Sequence, residues 1–269
     1  MKLDEILEAV RARAAERRRR RPMASVERDA VDAPAPRGLA AALRRAPHGL
    51  GLIAELKKRS PSAGVLRAPF DVTDFAAAYV RGGAHALSVL TEADFFDGAL
   101  EDLERAAGAG VPRLQKDFVL DEFQILEGRA AGADAILLIA EALPPDRAHE
   151  LCGFALELGL DVLFEAHGAA NVRRVAAEAE RAPDHVLVGI NNRDLRTFQV
   201  TLETSFRALR ELPPELLVVA ESGIRTPADV AALRQAGARG ILVGESLLRQ
   251  PDLEAAVREL LSGLGEPHA

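Results

Sequence analysis

The sequence runs to 269 residues, 48% hydrophobic and 28% charged, with a formal net charge of −7, a length at the upper end of what one α/β barrel domain holds. An acidic balance argues against binding a phosphate backbone, so nucleic acid is not an expected partner. No apolar run approaches the roughly 18–20 residues that a membrane span needs, so no membrane partner is expected either.

The opening Met1-Lys-Leu-Asp-Glu-Ile-Leu7 carries acids early and no apolar core, so it does not read as a secretory signal. Residues 3–20 predict an amphipathic helix with Leu3, Ile6, Leu7 and Val10 on one stripe and Arg17–Arg21 as its solvated end. A connector containing Pro22, Pro34 and Pro36 follows, so residues 1–48 form an N-terminal extension and 49–263 the main body of a single domain spanning 1–269. From there, aliphatic runs begin near Gly51, His85, Val111, Ala133, Leu160, His185, Leu216 and Arg239, at intervals of roughly 22 to 34 residues. Helical segments such as Asp74–Val80, Pro144–Leu158 and Pro227–Gln235 lie between them. Eight strand–helix units in one domain-sized chain predict a closed (βα)8 TIM barrel with an extra N-terminal helix. The string Gly49-Leu-Gly51-Leu-Ile-Ala54 matches a dinucleotide fingerprint, but it leads into an apolar run instead of following a strand, so it is taken as a chance match.

Cys152 is the one cysteine. It sits among Leu151, Phe154 and Leu156 and reads as a small buried hydrophobe, and its solitude suits a reducing cytoplasm. The six histidines show no metal-ligand spacing, so neither a metal nor a cofactor is expected, and a monomer is.

In a barrel of this kind the site lies at the carboxyl ends of the strands. The first strand ends in Ile53-Ala-Glu-Leu-Lys57, and its two-residue period puts Glu55 and Lys57 on the face opposite Ala54 and Leu56. Later strands end in Lys116-Asp-Phe118, Phe164-Glu165-Ala, Asn191-Asn-Arg193 and Glu221-Ser222-Gly223. Charges converging there must compensate one another and suit acid–base work on an anion, with a set of rim salt bridges as the alternative. Gly223 and Gly244, in the last two strand-to-helix loops, predict a backbone phosphate cradle, with a short helix beginning at Glu245 or Ser246 and the Glu245 carboxylate turned away. A phosphorylated small molecule is therefore the expected substrate.

Taken in order, Ile53-Ala-Glu-Leu-Lys-Lys-Arg-Ser-Pro-Ser62, Leu90-Thr-Glu-Ala-Asp-Phe-Phe-Asp-Gly98, Gln115-Lys-Asp-Phe118, Phe164-Glu-Ala-His167, Gly189-Ile-Asn-Asn-Arg-Asp-Leu195, Ala220-Glu-Ser-Gly-Ile224 and Leu242-Val-Gly-Glu-Ser-Leu247 resemble the indole-3-glycerol-phosphate synthase family of tryptophan biosynthesis. The resemblance implies a carboxy-lyase that turns 1-(2-carboxyphenylamino)-1-deoxyribulose 5-phosphate into indole-3-glycerol phosphate. It implies Lys116 as general acid, Lys57 as partner of the substrate carboxylate and second proton donor, and Glu165 as base or charge partner. Glu55 would hold Lys57, and Asn191, Arg193 and Ser222 would orient polar groups. Ser60, Gly223, Gly244 and Glu245 would surround the phosphate. Phe96, Phe118, Leu137, Ile139 and Leu195 would form the slot for the aromatic ring, although plain core packing explains Leu137 and Ile139 nearly as well. Lys116 and Glu165 are expected within one water molecule of each other. The sequence departs from the family's usual pattern at Gln115 and in the Leu163-Phe164 pair, which flank expected catalytic residues.

Overall fold

In a computed structural model, which describes residues 3–61, 63–194 and 199–265, the alternating runs form a closed parallel barrel. Its strands are β1 Gly51–Leu56, β2 Ala86–Leu90, β3 Arg113–Lys116, β4 Ala135–Ile139, β5 Asp161–Ala166, β6 Val186–Asn191, β7 Val218–Glu221 and β8 Gly240–Val243. The first and last strands close the ring, with Ala54 opposite Val243. Gly51 belongs to β1 and no helix begins within the Gly49–Ala54 string, so the dinucleotide fingerprint is a chance match. No described helix is long and apolar enough to cross a membrane.

Strand parity sorts the side chains into two environments. Ala54, Leu56, Phe164 and Ala166 point outward and pack beneath the helices. Ile53, Leu114, Leu137, Leu163, Leu187, Val219 and Leu242 point inward and fill the barrel. Inward positions further along the same strands are Glu55, Lys116, Glu165, Asn191 and Glu221, so the same alternation that builds the core delivers charge at its carboxyl end.

The N-terminal extension holds both ends of the barrel. Helix α1 (Leu3–Arg20) matches its predicted span and buries Ile6, Leu7, Val10 and Ala14. Arg13 forks onto Asp94 in the loop after β2, and Arg17 reaches Glu127 of α6 (Glu122–Ala130), so α1 docks at the rim of the site. After α2 (Met23–Asp32), α3 (Leu39–Arg44) plugs the opposite mouth: Leu39 and Leu43 are buried in the barrel interior, and the Ala40 N–H donates to Asp161 at the start of β5. Each fully buried leucine of this plug contributes about 1.5–3 kcal/mol.

The outer layer comprises α4 (Val72–Gly82), α5 (Glu101–Arg105), α6, α7 (Pro145–Glu157), α8 (Ala169–Arg181), α9 (Glu203–Glu211), α10 (Pro227–Gln235), α11 (Glu245–Leu248) and α12 (Leu253–Leu261). Local signals explain their starts. Asp71, Asp121, Thr226 and Asp252 cap α4, α6, α10 and α12 by accepting a backbone N–H. Cys152 lies buried in α7, packed in the outer core, where desolvation pushes its thiol up to about 12.

Candidate active site

The carboxyl ends of the strands enclose a cavity of about 490 Å³. Glu55 and Lys57 from β1 and its end, Lys116 from β3, Glu165 from β5, Asn191 and Arg193 from β6 and its loop, and Ser222 after β7 all line it. The sequence expected this convergence. Rim salt bridges are the poorer description, because Glu55, Glu165, Asn191 and Glu221 are each buried.

Lys116 organises the centre. Its Nζ donates to Glu165 Oε2 and to Glu221 Oε2, both at 2.7 Å, so Lys116 and Glu165 meet directly, without an intervening water. Asn191 Nδ2 donates to the other Glu165 oxygen at 2.8 Å. Beside them Lys57 donates to Glu55 Oε1. Burial alone would push Lys116 down and Glu165 up. The facing charges win: Glu165, Glu221 and Glu55 raise Lys116, while Lys116, Asn191 and a hydrogen bond with Glu221 bring Glu165 below its ordinary value.

Glu221 was legible only as the last residue of its strand, and the structure makes it the third member of the centre. Burial pushes its carboxyl up to about 8, against the pull of Lys116 and with help from the nearby charges of Glu165 and Glu55. Its Oε1 is buried without a hydrogen-bond partner among the described residues. Gly189 makes the space, since a Cβ there would stand 2.5 Å from that oxygen. Glu165 and Glu221 titrate as a pair, and burial together with the neighbouring carboxylates favours the protonated form of Glu221. A protonated-carboxyl C=O stretch is expected in the infrared spectrum at pH 7, fading as pH rises through about 8 and absent from Glu221→Gln. The sign is opposite to that of a salt-bridged carboxylate. The folded chain holds this proton more tightly than the unfolded one, so the contribution of Glu221 to stability is complete below its ordinary 4.5 and is lost as pH rises toward 8.

The wall opposite is apolar. Phe96 and Phe118 face each other with ring centroids 6.4 Å apart, and Leu137 and Ile139 form the floor. Both leucine and isoleucine also belong to the barrel core, so packing and slot are one surface. Phe96 rides on a tight loop whose backbone N–H groups at Asp94, Phe95 and Phe96 all donate to Glu92. Phe118 is fixed through its own N–H, which donates to Asp117; the other Asp117 oxygen accepts from Thr91 at 2.6 Å. Glu92 and Asp117 line the cavity and were not singled out from sequence.

At the other end of the cavity stand Gly223, Gly244 and Glu245. Ser222 and Gly223 both adopt left-handed backbone, at φ 64° and 81°, a costly conformation for the serine. α11 begins at Glu245 as expected, and the Glu245 carboxylate turns to Arg249, accepting from Nη2 at 2.8 Å and Nε at 3.1 Å. Arg225 and Arg249 add positive charge to this wall and were not anticipated.

One expected residue stands outside the arrangement. Ser60 does not line the cavity: the chain after β1 turns into a short ribbon pairing Arg59–Ser60 with Gly64–Val65, and the Ser60 hydroxyl accepts the Ala63 N–H. Leu195 lies outside the described residues. Gln115 is on the outer face of β3 against Gly128 of α6, away from the cavity, so that departure from the usual pattern leaves the site untouched. Phe164 likewise packs outward, under Arg174.

A family model described as indole-3-glycerol phosphate synthase matches residues 3–260. The chain belongs to the indole-3-glycerol phosphate synthase family. An indole-3-glycerol phosphate synthase of Rhodopirellula baltica is 46% identical over 261 residues, covering 97% of this chain and 98% of that protein. One from Koribacter versatilis is 48% identical over 228 residues, covering 84% and 86%. Among solved structures, 3-hexulose-6-phosphate synthase from Salmonella typhimurium superposes with a TM-score of 0.62 at 15% identity, covering 81% of this chain and all of that one, a likeness of fold alone. Membership explains why the seven motifs occur in order: each ends a strand or lies in the loop that follows one.

Proposed function

We propose that this chain is a carboxy-lyase that converts 1-(2-carboxyphenylamino)-1-deoxyribulose 5-phosphate into indole-3-glycerol phosphate, carbon dioxide and water. The observation that carries the chemistry is the Lys116 ammonium, held by two buried carboxylates in a cavity with an apolar wall on one side and glycine-rich loops on the other.

The substrate is anionic at both ends and aromatic at one. Its phosphate takes backbone N–H groups at Gly223, Gly244 and Glu245, with Arg225 and Arg249 nearby. Its ring enters between Phe96 and Phe118, and its carboxylate pairs with Lys57. Anchoring both ends of a flexible molecule removes much of the entropic cost of bringing them together.

The ring carbon that bears the carboxylate then attacks the ketone carbon. As that bond forms, the C=O π pair moves to oxygen, which takes a proton from Lys116 Nζ. Positive charge develops on the ring and its nitrogen, and the Glu165 carboxylate stabilises it. Loss of carbon dioxide returns an electron pair to the ring. The new hydroxyl leaves as water with a proton from Lys57, and the adjacent methylene loses a proton to Glu55, giving the indole. Asn191, Arg193 and Ser222 orient the polar groups of the sugar.

A rival phosphate-binding barrel chemistry, isomerisation by a cysteine–aspartate pair, finds no support here, because Cys152 is buried in the outer layer. The purified protein mixed with the carboxyphenylamino sugar is expected to produce indole fluorescence and carbon dioxide in equal amounts. The chain contains no Trp, so the optical background is low. Neither signal above an enzyme-free control would overturn the reading.

A further inference from the structure

We propose that His167 is a positioning residue that joins the end of β5 to the end of β6 and thereby aims Glu165 at the reacting atoms. This rests on the role given to Glu165 above.

The geometry is a chain of contacts. His167 follows β5, and its backbone N–H donates to Glu141 in the loop after β4 at 3.0 Å. The same Glu141 oxygen accepts from Gly168 N and Asn171 Nδ2, so the stem of His167 is pinned. From there the ring crosses to β6, where Nδ1 lies 2.7 Å from the Asn191 carbonyl oxygen. A carbonyl only accepts, so Nδ1 carries the proton. Asn191 spends its side chain in two directions: Nδ2 donates to Glu165 Oε1 at 2.8 Å, and Oδ1 accepts the Arg193 N–H at 2.9 Å. The backbone that the imidazole grips is therefore that of the residue fixing one Glu165 oxygen, while Lys116 takes the other.

The far side of the ring faces the loop after β6. Nε2 stands 3.7 Å from Asp194 Oδ2, and Arg193 bridges back to Val200, which lines the cavity. His167 is thus a strut between the proton-transfer centre and the loop that carries Arg193. His167 stands directly after the last residue of β5, two residues beyond Glu165.

The test compares His167→Ala with His167→Asn, because the asparagine Nδ2–H occupies the place of the imidazole Nδ1–H. Alanine is expected to lower kcat about 10-fold with KM within about twofold, and asparagine to restore kcat to within about threefold of the parent. Melting temperature is measured for both, to separate positioning from folding. If the asparagine variant loses kcat as alanine does, or if the loss appears in KM instead, the strut is overturned. Glu165→Gln, assayed in parallel, keeps the two readings apart. Full turnover in Glu165→Gln overturns the role of Glu165 and the strut with it, whereas loss there beside a normal His167→Ala overturns the strut alone.

Discussion

Lys116→Ala is expected to lower kcat by roughly 100-fold or more, with a far smaller change in KM, as befits the loss of a positioned acid. The structure says why binding should survive. Lys116 bonds to Glu165 and Glu221, while the groups suited to the substrate's phosphate and carboxylate lie elsewhere on the wall, at Gly223, Gly244 and Lys57. The substitution also strands two carboxylates that were paired in a buried site. Breaking a buried ion pair from one side costs about 3–5 kcal/mol when the remaining charge cannot neutralise. Here burial already favours the protonated form of Glu221, which softens that cost. A lower melting temperature is expected, and Lys116→Met, which refills the volume, separates folding from catalysis. Turnover near the parent rate in a folded variant would remove Lys116 from the reaction.

Gly244→Ala is expected to lower kcat/KM by roughly 100-fold, the scale of a misplacement of about 1 Å at the reacting centre. The glycine was read from sequence as room for a phosphate, and the structure adds a second reason for it. A Cβ at Gly244 would stand 2.6 Å from Glu55 Oε1 and 2.9 Å from Glu55 Cβ. An alanine must therefore push Glu55 inward, disturbing its pairing with Lys57, and narrow the anion end at the same time. Both kcat and KM should suffer. A phosphate-only effect, with kcat unchanged, would show that the Glu55 contact yields harmlessly.

Much of this site was legible in the sequence because strand parity is a strict rule. Glu55 and Lys57 against Ala54 and Leu56 follow from a period of two and from nothing else. What escaped depends on distance across the barrel. Glu221 on β7 meets Lys116 on β3, and no local pattern brings those strands together; continuing inward from Leu217 and Val219 would have put Glu221 on the right face. The contact of Gly244 with Glu55 exists because β1 and β8 become neighbours when the ring closes. Gln115 was expected beside the chemistry, yet the same parity that sends Lys116 inward sends Gln115 out to Gly128. Ser60 was lost for a different reason, a ribbon that turns the chain after β1. The strands read from Val111 and Leu216 begin at Arg113 and Val218, since the buried Leu216 and Leu217 precede the ladder of β7 and extend its apolar run.

The most direct test is a crystal structure with a substrate analogue whose ketone has been reduced to an alcohol. The alcohol oxygen is expected within hydrogen-bond distance of Lys116 Nζ, with the ring between Phe96 and Phe118 and the phosphate on the backbone of Gly223 and Gly244. An analogue bound with its phosphate among the phenylalanines, or with that oxygen beyond the reach of Lys116 even through one water, would contradict the account.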